Sequence, residues 1–128
     1  MDKLEYIPGD LVMTRTEPNN FVPNGIICKF EKYLESNMVL IRVVNRTDSY
    51  VAEIKQIAPI LISPAILEKN GWNKYKREYL KDQISLCACD SACYWSVEYK
   101  ARFVFFIRHV HQLQHLLFGL RLNPEMEV

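Results

Sequence analysis

Two hydrophobic periodicities divide the chain. Over the first sixty residues apolar positions form short runs, with turn-forming residues between them at roughly eight- to twelve-residue intervals, the signature of short strands. Pro8-Gly9-Asp10 leads into an apolar run from Leu11 to Thr16. Glu17-Pro18-Asn19-Asn20 and Pro23-Asn24-Gly25 bound a loop, and Gly25 to Tyr33 reads as a second strand. Glu35-Ser36-Asn37 turns the chain into Met38 to Val44, which is rich in β-branched residues. Asn45 to Asp48 turns it again into Ser49 to Ile57, where Val51, Glu53 and Lys55 alternate with Ala52, Ile54 and Gln56. Four such strands predict a small SH3-like β-barrel over residues 1–60, because closure removes exposed edges from a sheet this small.

Beyond residue 60 helical signals appear. Ser63 is placed to cap a first turn, Pro64 suits the first helical position, and Gly71 suits a left-handed stop after Asn70. These predict a two-turn helix over 64–70, with Ile66 and Leu67 facing the core and Trp72 folding back over its end. Ile84 to Cys89 reads as a strand. Trp95, Val97 and Tyr99 alternate with Tyr94, Ser96, Glu98 and Lys100, predicting a half-buried strand, and 102–106 form a third. Val110, Leu113, Leu116, Leu117 and Leu120 recur at helical spacing, so a helix is expected over 107–118, ended by Gly119. Residues 122–128 are expected as a short edge strand, free to pair with a second copy, or a loose tail. The fold class is therefore α+β: an SH3-like barrel, then an α-β-β-β-α unit over 61–128. Ala58 to Ile62 is too apolar for a flexible tether, so the halves are expected to pack together.

Composition narrows the functional classes. Hydrophobic residues at 49% and charged residues at 24% describe a chain that packs a core rather than a disordered one. The formal net charge is +1, and residues 1–60 (7 basic, 8 acidic) differ little from residues 61–128 (9 basic, 7 acidic). No global field steers such a chain towards DNA or anionic membranes, so nucleic-acid binding would need a local patch. The charged start, Met1-Asp2-Lys3-Leu4-Glu5, leads into no apolar run, and no stretch has the length of a membrane span; a cytoplasmic protein with no membrane partner is expected. In that setting Cys28, Cys87, Cys89 and Cys93 are expected to be free thiols.

Three constellations bear on chemistry. His111 and His115 stand at i and i+4, the spacing of a zinc-binding helix, with His109 nearby. The residue after His111, which a zinc hydrolase would use as its base, is Gln112 and takes no proton. The leucine stripe places both histidines on the flank or opposite face, where solvent exposure is expected. Cys87, Cys89 and Cys93 are too crowded for zinc-ribbon spacing; with Asp90-Ser91 as a two-residue turn, Cys93 would pair with Ala88 and point away from the other two. The third set combines Lys74, Lys76 and Arg77 with Tyr94 and Lys100, a pattern able to contact phosphates and stack bases. The aromatics Tyr75, Tyr79, Tyr94, Trp95, Tyr99, Phe103, Phe105 and Phe106 are expected mainly to fill the core, with the tyrosines amphipathic. No phosphate loop, nucleophile elbow or motif-placed carboxylate pair occurs.

Two motifs carry a resemblance. The run ILISPAILEKNGW is similar to a "PLTPEILEKNGF" stretch, and HVHQLQHLLFGL to a "YVHELQHALR"-like helix, of small proteins from Bacteroides-type gut bacteria and their phages or mobile elements. Pro59, Pro64, Leu67, Asn70, Gly71, Val110, Leu113 and Gln114 match that pattern, while Gln112 departs from its glutamate. The resemblance implies a genomic setting and no activity. The expected function is that of a non-enzymatic binding or adaptor module without a cofactor. Its partner would be a protein or a nucleic acid, docking along the loop from Thr16 to Pro23 or along the second sheet. The alternatives are a metal-binding protein using His111 and His115, and a single-stranded nucleic-acid-binding protein using Lys74, Lys76, Arg77, Tyr94 and Lys100.

Overall fold

The computed structural model describes residues 6–15, 25–89 and 93–128. It is α+β with two five-stranded antiparallel sheets, and two compact units, Met1–Ile60 and Leu61–Val128, divide the chain. Among the described residues, no helix is long and apolar enough to cross a membrane.

The first unit holds β1 (Leu11–Thr14), β2 (Ile27–Tyr33), β3 (Met38–Val43), β4 (Ser49–Glu53) and β5 (Ile57–Pro59), in the order β4-β3-β2-β1-β5. The stretch expected as one strand, Ser49 to Ile57, is broken by a single 3-10 turn, Ile54–Gln56. The Gln56 side chain accepts the Glu53 N–H at 2.8 Å, tightening a turn that re-aims the chain. Residues 57–59 then pair with β1, Thr14 opposite Ile57 and Val12 opposite Pro59. Pro59 donates nothing to a ladder and is tolerated there because β5 is an edge. Alternation sets the core: Val12, Cys28, Phe30, Val39, Ile41, Ala52 and Ile57 are buried together with Tyr6. The closed barrel expected for this unit is corrected to an open sheet, since β4 and β5 end it and no ladder joins them among the described residues. The breakers expected at Glu17 to Asn20 and at Pro23-Asn24 lie outside the described residues.

The second unit runs α1 (Pro64–Lys69), β6 (Asn73–Tyr75), β7 (Glu78–Lys81), β8 (Ile84–Ala88), β9 (Trp95–Tyr99), β10 (Arg102–Ile107) and α2 (Val110–Gly119), with strand order β10-β9-β8-β7-β6. Five strands thus replace the three expected. The polar stretch 73–81 is a hairpin whose strands are too short and too exposed to show a period. The expected alternation in β9 is present: Trp95 and Val97 are buried with Tyr79, Ile84, Leu86 and Ile107, as are Leu67 of α1 and Val110, Leu113 and Leu117 of α2. Ala88 stands opposite Trp95, not Cys93; Cys93 precedes the strand and is exposed. The Asp90-Ser91 turn lies outside the described residues.

Three hairpins reverse on two residues that both have positive φ: Ser36-Asn37, Asp82-Gln83 and Lys100-Ala101. Two consecutive left-handed residues make the turn whose twist matches the flanking strands. None of these pairs contains glycine, so the usual sequence signal is missing.

Both helix ends follow from local chemistry. Ser63 Oγ accepts the Ile66 N–H at 3.3 Å, and Gly71 (φ +84°) takes the left-handed position after α1 while the Trp72 N–H donates to the Leu67 carbonyl at 3.0 Å. α2 starts at Val110 rather than 107, because Ile107 remains in the ladder opposite Trp95. The Gln112 side chain accepts from the N–H groups of Arg108 (2.8 Å) and His109 (2.9 Å), as a glutamine at the third helical position does in a capping box. At the far end Gly119 is not the left-handed residue; Arg121 is (φ 61°), and the Leu122 N–H donates to the Leu117 carbonyl at 2.8 Å. The tail forms no strand. Asn70 holds it instead, donating to the Glu127 carbonyl and accepting the Glu127 N–H, both at 2.7 Å.

The two helix stops should respond oppositely to substitution. Gly71→Ala meets only the flexible Lys81 Nζ at 3.8 Å, so its cost is conformational, about 1 kcal/mol. Arg121→Gly relieves the same strain and should stabilise by up to about 1 kcal/mol. Urea unfolding of both variants reads the two signs.

Candidate functional site

In the first unit four segments surround an open groove of ≈ 970 Å³, lined by Tyr6 and Ile7, by Arg15, by Tyr33, Leu34, Asn37 and Met38 around the β2–β3 turn, and by Ile54, Lys55 and residues 57–59. Hydrogen bonds hold the segments in place. The Tyr33 hydroxyl accepts the Tyr6 N–H at 2.8 Å, and Tyr33 packs edge-on against Phe30 with centroids 4.7 Å apart. Phe30 in turn packs against Tyr6 at 5.6 Å. Asp10, itself buried, accepts the Ile7 N–H at 2.9 Å. The Ile54 N–H donates to the Asn37 carbonyl at 2.8 Å, tying the 3-10 turn to the hairpin, and the Arg15 N–H donates to the Gln56 carbonyl at 2.6 Å. The walls are therefore built from a braced backbone, as in a pre-formed site.

The groove's chemistry is apolar and aromatic with a basic rim. Its charged lining residues are Arg15 and Lys55. Lys55 has Glu53 at 3.1 Å, but both side chains are largely solvated and such a pair is weak. Burial pushes the Tyr6 phenol up to about 12, with Tyr33 and Asp10 adding to the effect, so at neutral pH it remains a hydroxyl. The groove offers hydroxyl and cationic donors over an apolar floor.

No family model, no curated protein and no solved structure matches the chain.

Of the residues singled out for nucleic-acid contact, Lys74, Lys76, Arg77 and Tyr94 share one end of the second sheet and Lys100 lies at the other. Lys74 lies on the edge strand β6, and Lys76 and Arg77 occupy the β6–β7 turn. Tyr94 precedes β9 at that same end of the sheet and is covered by the Arg108 guanidinium at 5.0 Å. Lys100 sits in the β9–β10 turn, at the opposite end, over its neighbour Tyr99 at 5.3 Å. The solvent-facing rows of the central strands carry Glu78, Leu80, Ser85, Cys87, Ser96 and Glu98, a surface with two carboxylates and no cation. The proposed docking loop, Thr16 to Pro23, lies outside the described residues.

The histidines are placed differently from expectation. His111 is buried at 2% exposure rather than solvated, because the second helical residue faces inward together with Gln114. Its ring lies 5.7 Å from that of His109 and 5.6 Å from that of His115. Among the described residues, no group of three histidine, cysteine or acidic side chains is arranged to hold a metal. Burial, then the neighbouring His109 and His115, push His111 down to about 4; burial, then Arg108, also lower His109. All four cysteines are free thiols, and burial pushes Cys28 up to about 11.

Sequence reasoning missed the groove. Tyr6, Tyr33 and Ile57 come from separate segments, and the tight Ser36-Asn37 turn and the 3-10 turn help bring them together.

Two outcomes follow. A histidine whose folded pKa lies below its unfolded value of 6.5 contributes fully above pH 6.5, and its contribution is lost as pH falls towards 4. Stability should therefore drop by about 2–3 kcal/mol across that window; urea midpoints measured against pH should show a shallower slope for His111→Leu, with the remainder due to His109. In native protein a thiol reagent should label Cys93 rapidly and spare Cys28 until unfolding, which mass mapping of labelled peptides would read.

Proposed function

We propose that this chain is a non-enzymatic binding module whose first unit takes an extended, acidic and apolar peptide segment of a partner protein into the groove between the β2–β3 turn and the 3-10 turn. The observation that carries this reading is the composition of the groove: aromatic and aliphatic walls, the exposed Tyr33 hydroxyl, and the cations Arg15 and Lys55 among its described lining residues. Apolar clefts with a few convergent polar groups recognise ligands, and rim charges select partners of opposite sign and speed their encounter. The strand order β4-β3-β2-β1-β5, with a single 3-10 turn before the last strand, supports an SH3-like description of this unit. The two-motif resemblance adds a setting, among proteins of gut-bacterial phages or mobile elements.

Peptide binding is favoured over single-stranded nucleic acid because Lys100 sits at the opposite end of the sheet from Lys74, Lys76 and Arg77, and the surface rows between them carry carboxylates and no cation. The test is selection of random peptides on the full chain, followed by titration of a selected peptide. Binders should be enriched in Asp, Glu and aromatic residues and should perturb the amide resonances of Tyr33, Met38 and Ile57. Arg15→Glu with Lys55→Glu should weaken binding at least tenfold, about 1.4 kcal/mol, at unchanged thermal stability. Selected peptides that shift only second-unit resonances, or binding indifferent to the double charge reversal, would sink the reading.

A further inference from the structure

β10 breaks the rule that a strand hides one face. Phe103, Val104, Phe105 and Phe106 are all exposed, at 57%, 43%, 38% and 53%. The cause is a shift in register: Phe103 stands opposite Glu98 and Phe105 opposite Val97, leaving Val104 as an extra residue. Three positions apart, Phe103 and Phe106 would point to opposite faces of a regular strand. The bulge brings both to the solvent side, beside Glu98 and Ser96, where their ring centroids are 5.1 Å apart. Phe105 points to the other side. There it lines a shallow groove of ≈ 360 Å³ with His115 and Leu116 of α2 and Leu120 just beyond it, and Phe106 reaches the same groove. One turn on from His115, Phe118 is 65% exposed. Aromatic side chains therefore surround a free sheet edge on both flanks.

We infer that this edge is the interface of a homodimer, covered by β10 and the end of α2 of a second copy related by a two-fold axis. Area is the first argument. At about 200 Å² for a phenylalanine side chain, the four rings leave about 400 Å² exposed per copy. Doubled, and joined by Val104, Leu116 and Leu120, this reaches the roughly 1,000 Å² that a specific interface clears. A patch of this size is by itself ordinary for a monomer; its place along an open sheet edge, which soluble chains usually cover or charge, is what calls for a partner. Charge is the second argument. The stretch 103–107 and all of α2 contain no Lys, Arg, Asp or Glu, so two copies meet without repulsion and no partner of opposite charge is selected. Self-complementarity is the third, since each copy presents an exposed ring, Phe118, next to a groove. The bulge interrupts the outer ladder, so the contact is made through side chains and not through a continuous ten-stranded sheet.

Sedimentation equilibrium of the full chain over the micromolar range is the test. The wild-type protein should approach twice 15.1 kDa. Phe103→Lys with Phe106→Lys should raise the dimer dissociation constant at least tenfold, with a far-UV spectrum and melting temperature that report a folded chain. If that pair fails to fold, Phe118→Glu on the exposed helix surface serves in its place and should weaken association similarly. Tyr75→Lys, on the far edge strand β6, should leave association unchanged. A wild-type mass of one chain at every concentration overturns the inference and assigns the patch to a different protein. Dimers that persist in the folded variants overturn it too, as does equal loss of association in Tyr75→Lys.

Discussion

Chain reversal on two left-handed residues is the constraint on which both sheets depend. A hairpin closed by Ser36-Asn37, Asp82-Gln83 or Lys100-Ala101 sets the pairing next to its turn, and a bulge shifts the register further along the first and third of these ladders. Each side chain beyond the turn is thereby assigned to a face. The first of these turns places Tyr33 and Met38 at the mouth of the groove and offers the Asn37 carbonyl to Ile54. The third starts β10 opposite Tyr99, and the bulge that follows re-aims one phenylalanine. The groove depends on the first of these turns, and the aromatic edge on the third together with the bulge in β10.

The second unit shows how polar groups serve the fold at places that suggest chemistry. Gln112 occupies the position where a zinc hydrolase would carry its glutamate, yet its carbonyl oxygen accepts two backbone N–H groups and closes the start of α2. His111 faces inward and is held neutral by burial. Asn70 both ends α1, donating to the Ile66 carbonyl at 2.7 Å, and holds Glu127 of the tail. These are the tasks that buried or terminal backbone groups demand of nearby side chains.

The two units present surfaces of different character. The groove of the first is braced by backbone hydrogen bonds and rimmed by cations. The edge of the second is aromatic and aliphatic from Phe103 to Ile107. A basic rim favours fast and selective encounter with an acidic segment, while a neutral aromatic edge favours association through area.

What the sequence alone determined is local. Ser63, Pro64 and Gly71 predict α1 because capping and left-handed stops depend on a few neighbouring residues, and the α+β class follows from the change in periodicity. The β9 alternation is legible for the same reason, since Trp95 and Val97 answer to one buried face. Tertiary structure decided the rest. The hairpin 73–81 is stabilised by its place beside β8 rather than by its own period. The open sheet of the first unit depends on which strand β5 joins. His111 is buried because helix phase is set by where β10 ends, and Ile107 stays in the ladder. The groove exists only when Tyr6, Tyr33, Met38 and Ile57 meet across the sheet, and Phe103 and Phe106 share a face only because of a bulge. Such features are set by register and long-range pairing, and a linear pattern of apolar residues does not encode them.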